Sequence, residues 1–143
     1  MSKPIQFSEA ALIGIHSLVL IANSKNNFLK ANYIAEKTGS SKAHIAKVLQ
    51  TLAKAGFVTS VRGPAGGFSI AKDFENISLL SIYEAIEGKI TNSGKCPFDK
   101  SICAFNECLV GGIIHRLNAE LIGFLKTKTL KDLVSSAIVK SDD

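Results

Sequence analysis

The sequence predicts a mainly α-helical fold with one small β-hairpin, on three observations. Apolar residues recur at helical spacing through most of the chain, most clearly at Ile45, Val48, Leu49 and Leu52, which occupy i, i+3, i+4 and i+7. Residues 57–71 break that rhythm, with two strand-like runs flanking the Gly- and Pro-rich RGPAGG. A long helical stripe then runs through residues 109–126, beyond a segment that holds every cysteine of the chain.

In order, residues 7–22 read as the first helix, with Ser8 able to cap its start and apolar positions 11, 12, 15, 18, 19 and 22 on a wide buried face. Residues 23–27 are polar and read as a loop. Residues 29–37 predict a short helix burying Leu29, Ala31, Ile34 and Ala35. Gly39 stops it, because glycine enters left-handed geometry most cheaply, and Ser40 or Ser41 caps the next helix. That helix, residues 42–55, carries Lys42, His44, Lys47, Thr51 and Lys54 opposite its apolar stripe and ends at Gly56. Two helices joined by a short Gly-containing turn form a helix-turn-helix pattern. Residues 57–61 and 68–71 follow as the strands of a hairpin, and a hairpin directly after a helix-turn-helix makes a winged helix. Beyond it, residues 79–87 predict a helix between Ser78 and Gly88, and residues 89–108 an irregular loop. Val110, Ile113, Ile114, Leu117, Leu121, Phe124 and Leu125 stripe the long helix, and residues 130–138 add a last helical turn or two before a frayed SDD tail. The expected division is 1–75 for the winged helix, 76–108 for the linking helix and cysteine loop, and 109–143 for the long helix and tail.

Composition narrows the function. At 143 residues and 46% hydrophobic content, the chain suffices for one domain, or one domain with an extension. The apolar run 10–22 is too short to cross a bilayer, follows Glu9, contains His16 and lacks a convincing cleavage site. It reads as a buried helix, so a cytoplasmic protein without a membrane partner is expected. No Gly-rich phosphate loop, nucleophile–base arrangement or paired carboxylates suggest an enzyme. Residues 1–72 hold nine basic and two acidic residues, whereas 73–143 hold eight and ten. A basic half beside a mildly acidic one points to a polyanion met by the first half.

A helix entering the DNA major groove needs small or polar donors at its outward N-terminal end, which Ser40, Ser41, Lys42, His44 and Lys47 supply. Arg62, with Gly63 and Gly66 in the wing loop, is suited to an adjacent minor groove. Lys42, Lys47, Lys54, Arg62 and Lys72 would mainly supply non-specific, salt-dependent affinity for phosphates. For any single lysine a solvated helix face is the simpler reading; the ordered set favours double-stranded DNA. A winged helix can instead dock protein, and the steep salt dependence of DNA binding separates the two.

The cysteines are spaced Cys96-x6-Cys103-x4-Cys108. Zinc sites usually present C-x2-C pairs, absent here, whereas longer gaps suit a loop around an iron–sulfur cluster. Clusters usually take four ligands, so the fourth is open among His16, His115, Glu9, Asp99, Glu107 and a residue of a second subunit. A thiol switch using two of the three cysteines, or simple packing of Cys108, are the alternatives.

The wing RGPAGGFSIAK, the preceding YIAEKTGSSKAHIAKVLQTLAKAGFVTSV, the first-helix segment FSEAALIGIHSLVLIA and ISLLSIYEAIEG before the cysteines together resemble the Rrf-two family of bacterial winged-helix regulators, over roughly residues 5–135. The resemblance implies a DNA-binding transcriptional regulator that is a homodimer on a palindromic operator, with 109–126 as its dimerisation helix. It implies an iron–sulfur cluster of 2Fe–2S or 4Fe–4S type on Cys96, Cys103 and Cys108. One branch of the family takes its fourth ligand three positions after the last cysteine, where this chain has Gly111. Another takes an acidic residue two positions after a Phe in the first helix, reaching across the dimer; Phe7-Ser8-Glu9 matches, making Glu9 the first candidate. The x4 gap is shorter than the x5 of the best-known members, and some relatives respond without a cluster.

Overall fold

The computed structural model describes residues 7–71, 73–90, 103–110 and 112–137. Lys72, Cys96, Asp99, Gly111, the end of the last expected helix at Ile138 and the SDD tail lie outside them. The observed order is α1 (Glu9–Asn23), β1 (Phe28–Leu29), α2 (Ala31–Thr38), α3 (Lys42–Lys54), β2 (Val58–Val61), β3 (Gly67–Ile70), α4 (Leu79–Glu87), α5 (Ile113–Thr127) and α6 (Leu130–Ser136), with single 3-10 turns at Lys25–Asn27 and Phe74–Asn76. The predicted mainly α winged helix-turn-helix is the fold observed.

The helix starts follow local chemistry. Ser8, Ser41, Ser78 and Thr129 cap α1, α3, α4 and α6, each side-chain oxygen accepting a backbone N–H from the first turn. α2 ends at Gly39, whose φ of 68° is the left-handed stop that TGSS predicts.

Three expectations need correction. Leu12, placed by spacing on the buried face of the first helix, is exposed, and α1 buries Ile13 and Ile21 instead. Leu29 does not open a helix: it lies in β1, which pairs antiparallel with β3 through Phe28↔Ser69 and Leu29↔Phe68. The sheet therefore has three strands in the order β1-β3-β2. Pairing between residues 41 and 39 positions apart satisfies the outer edge of β3, and no local pattern announces it. The long helix begins at Ile113, not at residue 109. Gly112 takes a left-handed φ of 72°, and Ile113 N–H donates to the Val110 carbonyl in a turn at 3.1 Å, so the helix starts only after this glycine.

One core joins all the helices. Leu18, Ile21, Ile34, Ile45, Leu49, Leu52, Ile82, Leu125 and Leu130 are completely buried. Burying a side chain of this size contributes about 1.5–3 kcal/mol each. The α5–α6 corner is stitched to the winged unit by backbone bonds, Leu79 N–H to the Lys128 carbonyl (2.9 Å) and Leu130 N–H to the Ile77 carbonyl (2.8 Å). By contrast Leu109, Val110, Leu117 and Phe124, all on the predicted stripe or at its entrance, are exposed.

At this corner Thr129 and Asp132 form a capping box. Hydrogen bonds from Thr129 hold the Asp132 carboxyl below its ordinary pKa, with Lys128 and Lys131 assisting. A depressed carboxylate contributes stability that is complete above its unfolded pKa and disappears as pH falls through the folded one. Fraying of α6 is thus expected in acid below the usual aspartate range. Asp132→Asn should flatten that part of the pH profile, as amide exchange at residues 130–136 would read out.

Candidate nucleic-acid interface and thiol segment

The turn and the start of α3 are built from backbone outward. Gly39 reverses the chain, Ser40 N–H donates back to the Ala35 carbonyl (3.2 Å), and Ser41 Oγ accepts from His44 N–H (3.2 Å). Lys42 and Lys47 are exposed, whereas Ser40 and His44 are half-buried. The centre of the outward face is Ala43, Lys47, Gln50 and Lys54, exposed residues at i, i+4, i+7 and i+11. Lys42 and His44 flank it on opposite sides. Ala43 and Gln50, absent from the expected set, join this face by their angular position opposite Ile45, Val48, Leu49 and Leu52.

Arg62 follows β2 directly and is exposed, as is Gly63 beside it. Gly66 N–H closes the turn onto the Gly63 carbonyl at 2.9 Å. A side chain at Gly66 would run into the Val61 carbonyl oxygen, so this glycine has a structural reason independent of any ligand. At Gly67 a Cβ would lie 2.6 Å from both the Leu29 carbonyl oxygen and the Phe28 ring, which is the close approach that admits β1. Lys30, on the far side of that strand, donates from Nζ to the Pro64 carbonyl at 3.3 Å. α3 packs against β2, the first strand of the wing.

Cys103 and Cys108 are exposed on residues 103–110, a stretch of bends and turns leading to α5. Cys103 Sγ lies 3.9 Å from the Phe105 carbonyl, a weak thiol hydrogen bond. Among the described residues no three His, Cys, Asp or Glu side chains gather as a metal-ligating group. Glu9 is exposed in the first turn of α1, where the helix dipole also favours an acid. Its neighbours fix that end of the helix: Ser8 Oγ donates to Glu87 Oε1, and the Phe7 ring meets Tyr83 edge-on at 5.7 Å. Glu9 therefore stands by the end of α4, from which the chain runs on to the cysteines. His16 is exposed, its Nδ1 2.6 Å from the Leu12 carbonyl, and His115 and Glu107 are exposed. No helix among the described residues is long and apolar enough to cross a membrane.

Capped recognition helix, glycine-shaped wing and basic flanks make this chain a winged-helix protein of the DNA-binding class. It belongs to the Rrf2 family, described as iron-dependent transcriptional regulators, whose profile matches residues 7–136. A putative HTH-type transcriptional regulator of Aquifex aeolicus (strain VF5) is 32% identical over 132 residues, 90% of this chain and 91% of its own length. The HTH-type transcriptional regulator IscR of Klebsiella pneumoniae (strain 342) is 29% identical over 114 residues, 80% of this chain and 69% of its own length. In fold the chain is similar to CymR, the global cysteine regulator of B. subtilis, with a TM-score of 0.73 and 21% identity over 94% of this chain and 99% of that one.

Proposed function

We propose that this chain is a cytoplasmic, homodimeric transcriptional regulator whose grip on a palindromic operator is set by an iron–sulfur cluster at Cys96, Cys103 and Cys108. One observation carries the proposal: two exposed thiols stand before α5, a helix whose Leu117 and Phe124 face solvent. Leu117 and Phe124 are 53% and 49% exposed, a surface that a second copy would cover. Pairing through α5 would place two α3 helices and two wings on half-sites about one helical turn apart. Residues 1–75 would read DNA, 76–108 would sense, and 109–143 would pair.

The donor chemistry fits a cluster. Thiolates are its usual ligands, and Cys103 and Cys108 are exposed on a segment without regular structure that can adjust to a bound group. Cys96 would complete the thiolate set, and Glu9, fixed by Ser8 and Phe7 beside the entrance to that segment, is the first candidate for a fourth ligand, from its own or the partner subunit. When bound, the cluster supplies a redox-labile centre that oxygen, nitric oxide or iron shortage can remove. The chain's own part is mechanical: the cysteines fall between α4 and α5 in the sequence, so binding or losing a cluster there would change the angle between the two DNA-binding units. A cofactor alters DNA affinity only through unequal affinity for the two arrangements. Among the DNA-facing residues, Ser40, Ser41, Lys42, His44, Lys47, Arg62, Gly63 and Gly66 form the proposed contact set, with Ala43 and Gln50 added by their outward position.

Anaerobic reconstitution with iron and sulfide tests the reading. A visible chromophore that Cys103→Ala abolishes, together with DNA affinity that differs between loaded and stripped protein, is expected. No chromophore, with DNA binding unchanged in Cys103→Ala under every redox condition, would sink it. Loss of two hydrogens in mass on oxidation, without iron, would instead assign a disulfide switch.

A further inference from the structure

We infer that Lys30 is a positioning residue for the wing: its ammonium holds the tip of the β2–β3 turn in the shape from which Arg62 engages DNA. This rests on the DNA-binding reading above.

Two independent observations meet at Lys30. The first is the hydrogen bond from its Nζ to the Pro64 carbonyl, joining positions 34 residues apart. The second is that Lys30 is the N-cap of α2 and makes no side-chain capping bond. Lysine is a poor choice there. It has no acceptor for the free N–H groups of the first turn, and it adds positive charge to the positive end of the helix. α1, α3, α4 and α6 place Ser or Thr at this position and use it. At α2 local helix chemistry yields, and the side chain goes to the wing instead.

The sheet explains how it reaches. Leu29 pairs with Phe68, so Lys30 leaves β1 alongside Gly67, at the base of the turn. Gly67 has no side chain to push β1 away. From there the lysine stem extends along the turn to Pro64, two positions beyond Arg62. The tip has its own closure from Gly66 to Gly63, and Gly63 sits at a φ of 105°. A turn with glycines at both ends loses much backbone freedom when it is ordered on DNA. Restraining it beforehand lowers that cost, and binding gains what ordering no longer takes. An exposed ammonium–carbonyl bond of 3.3 Å adds little to folding, so the effect belongs to DNA affinity.

The rival role is that Lys30 contacts a phosphate itself. A double-mutant cycle on the full chain separates them, using a labelled duplex that the wild-type protein selects from a random-sequence pool. Lys30→Met should weaken binding roughly two- to tenfold, with Lys30→Arg restoring it. In an Arg62→Ala background the same Lys30→Met change should have almost no effect, either on affinity or on the slope of affinity against salt relative to Arg62→Ala alone. Equal losses in both backgrounds, or a salt slope smaller by about one, would make Lys30 an independent phosphate contact and overturn the inference. So would wild-type affinity in Lys30→Met, or no loss from Arg62→Ala alone. A Lys30→Met protein that melts well below wild type would assign the residue to the fold and overturn it too. If the wild type selects no duplex at all, it is the DNA-binding reading that fails.

Discussion

Leu125→Ala is expected to lower the unfolding free energy by about 2–5 kcal/mol. Leu125 is completely buried in the core cluster that includes Ile77, Leu79, Ile82 and Leu130, and it is the one fully buried side chain among the described residues of α5. Truncation leaves a cavity where α5 joins the winged unit, and the backbone stitches at Ile77–Leu130 and Leu79–Lys128 hold the walls apart. Against a typical total of about 5–15 kcal/mol this is a large loss. Urea titration at fixed protein concentration should show an earlier midpoint with an unchanged slope. Phe124, its sequence neighbour, is the control. It is half exposed, so Phe124→Ala should alter the stability of an isolated subunit by no more than about 0.5 kcal/mol. Its cost should appear in self-association, read by sedimentation. Equal urea midpoints for the two variants would refute this account of how α5 is held.

Gly67→Ala is expected to damage the wing out of proportion to one methyl group. The new Cβ would stand 2.6 Å from the Leu29 carbonyl oxygen and from the Phe28 ring. One of those is backbone, so β1 must move off β3 or the hairpin must bend. Overpacking of this kind costs about 1–3 kcal/mol. The larger consequence is functional, because β1 leads to Lys30, whose ammonium reaches the Pro64 carbonyl two positions beyond Arg62. DNA affinity should fall at least as far as in Lys30→Met, and amides of β1 and β3 should lose protection from exchange. Protection equal to wild type at Phe28, Leu29, Phe68 and Ser69 would show that the sheet tolerates the methyl.

Much of this was legible in the residues alone. The stripe Ile45, Val48, Leu49, Leu52 places α3, and all four are buried. Gly39, Ser41, Ser8 and Ser78 terminate or cap the helices as their chemistry predicts. The wing was recognisable because Gly and Pro cluster only where a chain must turn sharply. These features depend on neighbours within about one helical turn, and such information is written locally.

What escaped depends on residues distant in sequence. The strand character of Phe28 and Leu29 exists because β3 offers an open edge, and nothing near residue 28 encodes that edge. Which apolar residues of α5 are buried is likewise undecided by its stripe: Leu117, Phe124 and Leu125 all belong to it, but only Leu125 meets the core. The sequence by itself determined the helices and the hairpin, their order and the basic, winged character of the first half. Tertiary structure alone decided which edge β1 fills, which side of α5 stays uncovered and where the Lys30 ammonium goes. Periodicity measures a residue against its own helix or strand; burial and long-range hydrogen bonds are set by what packs there from elsewhere in the chain.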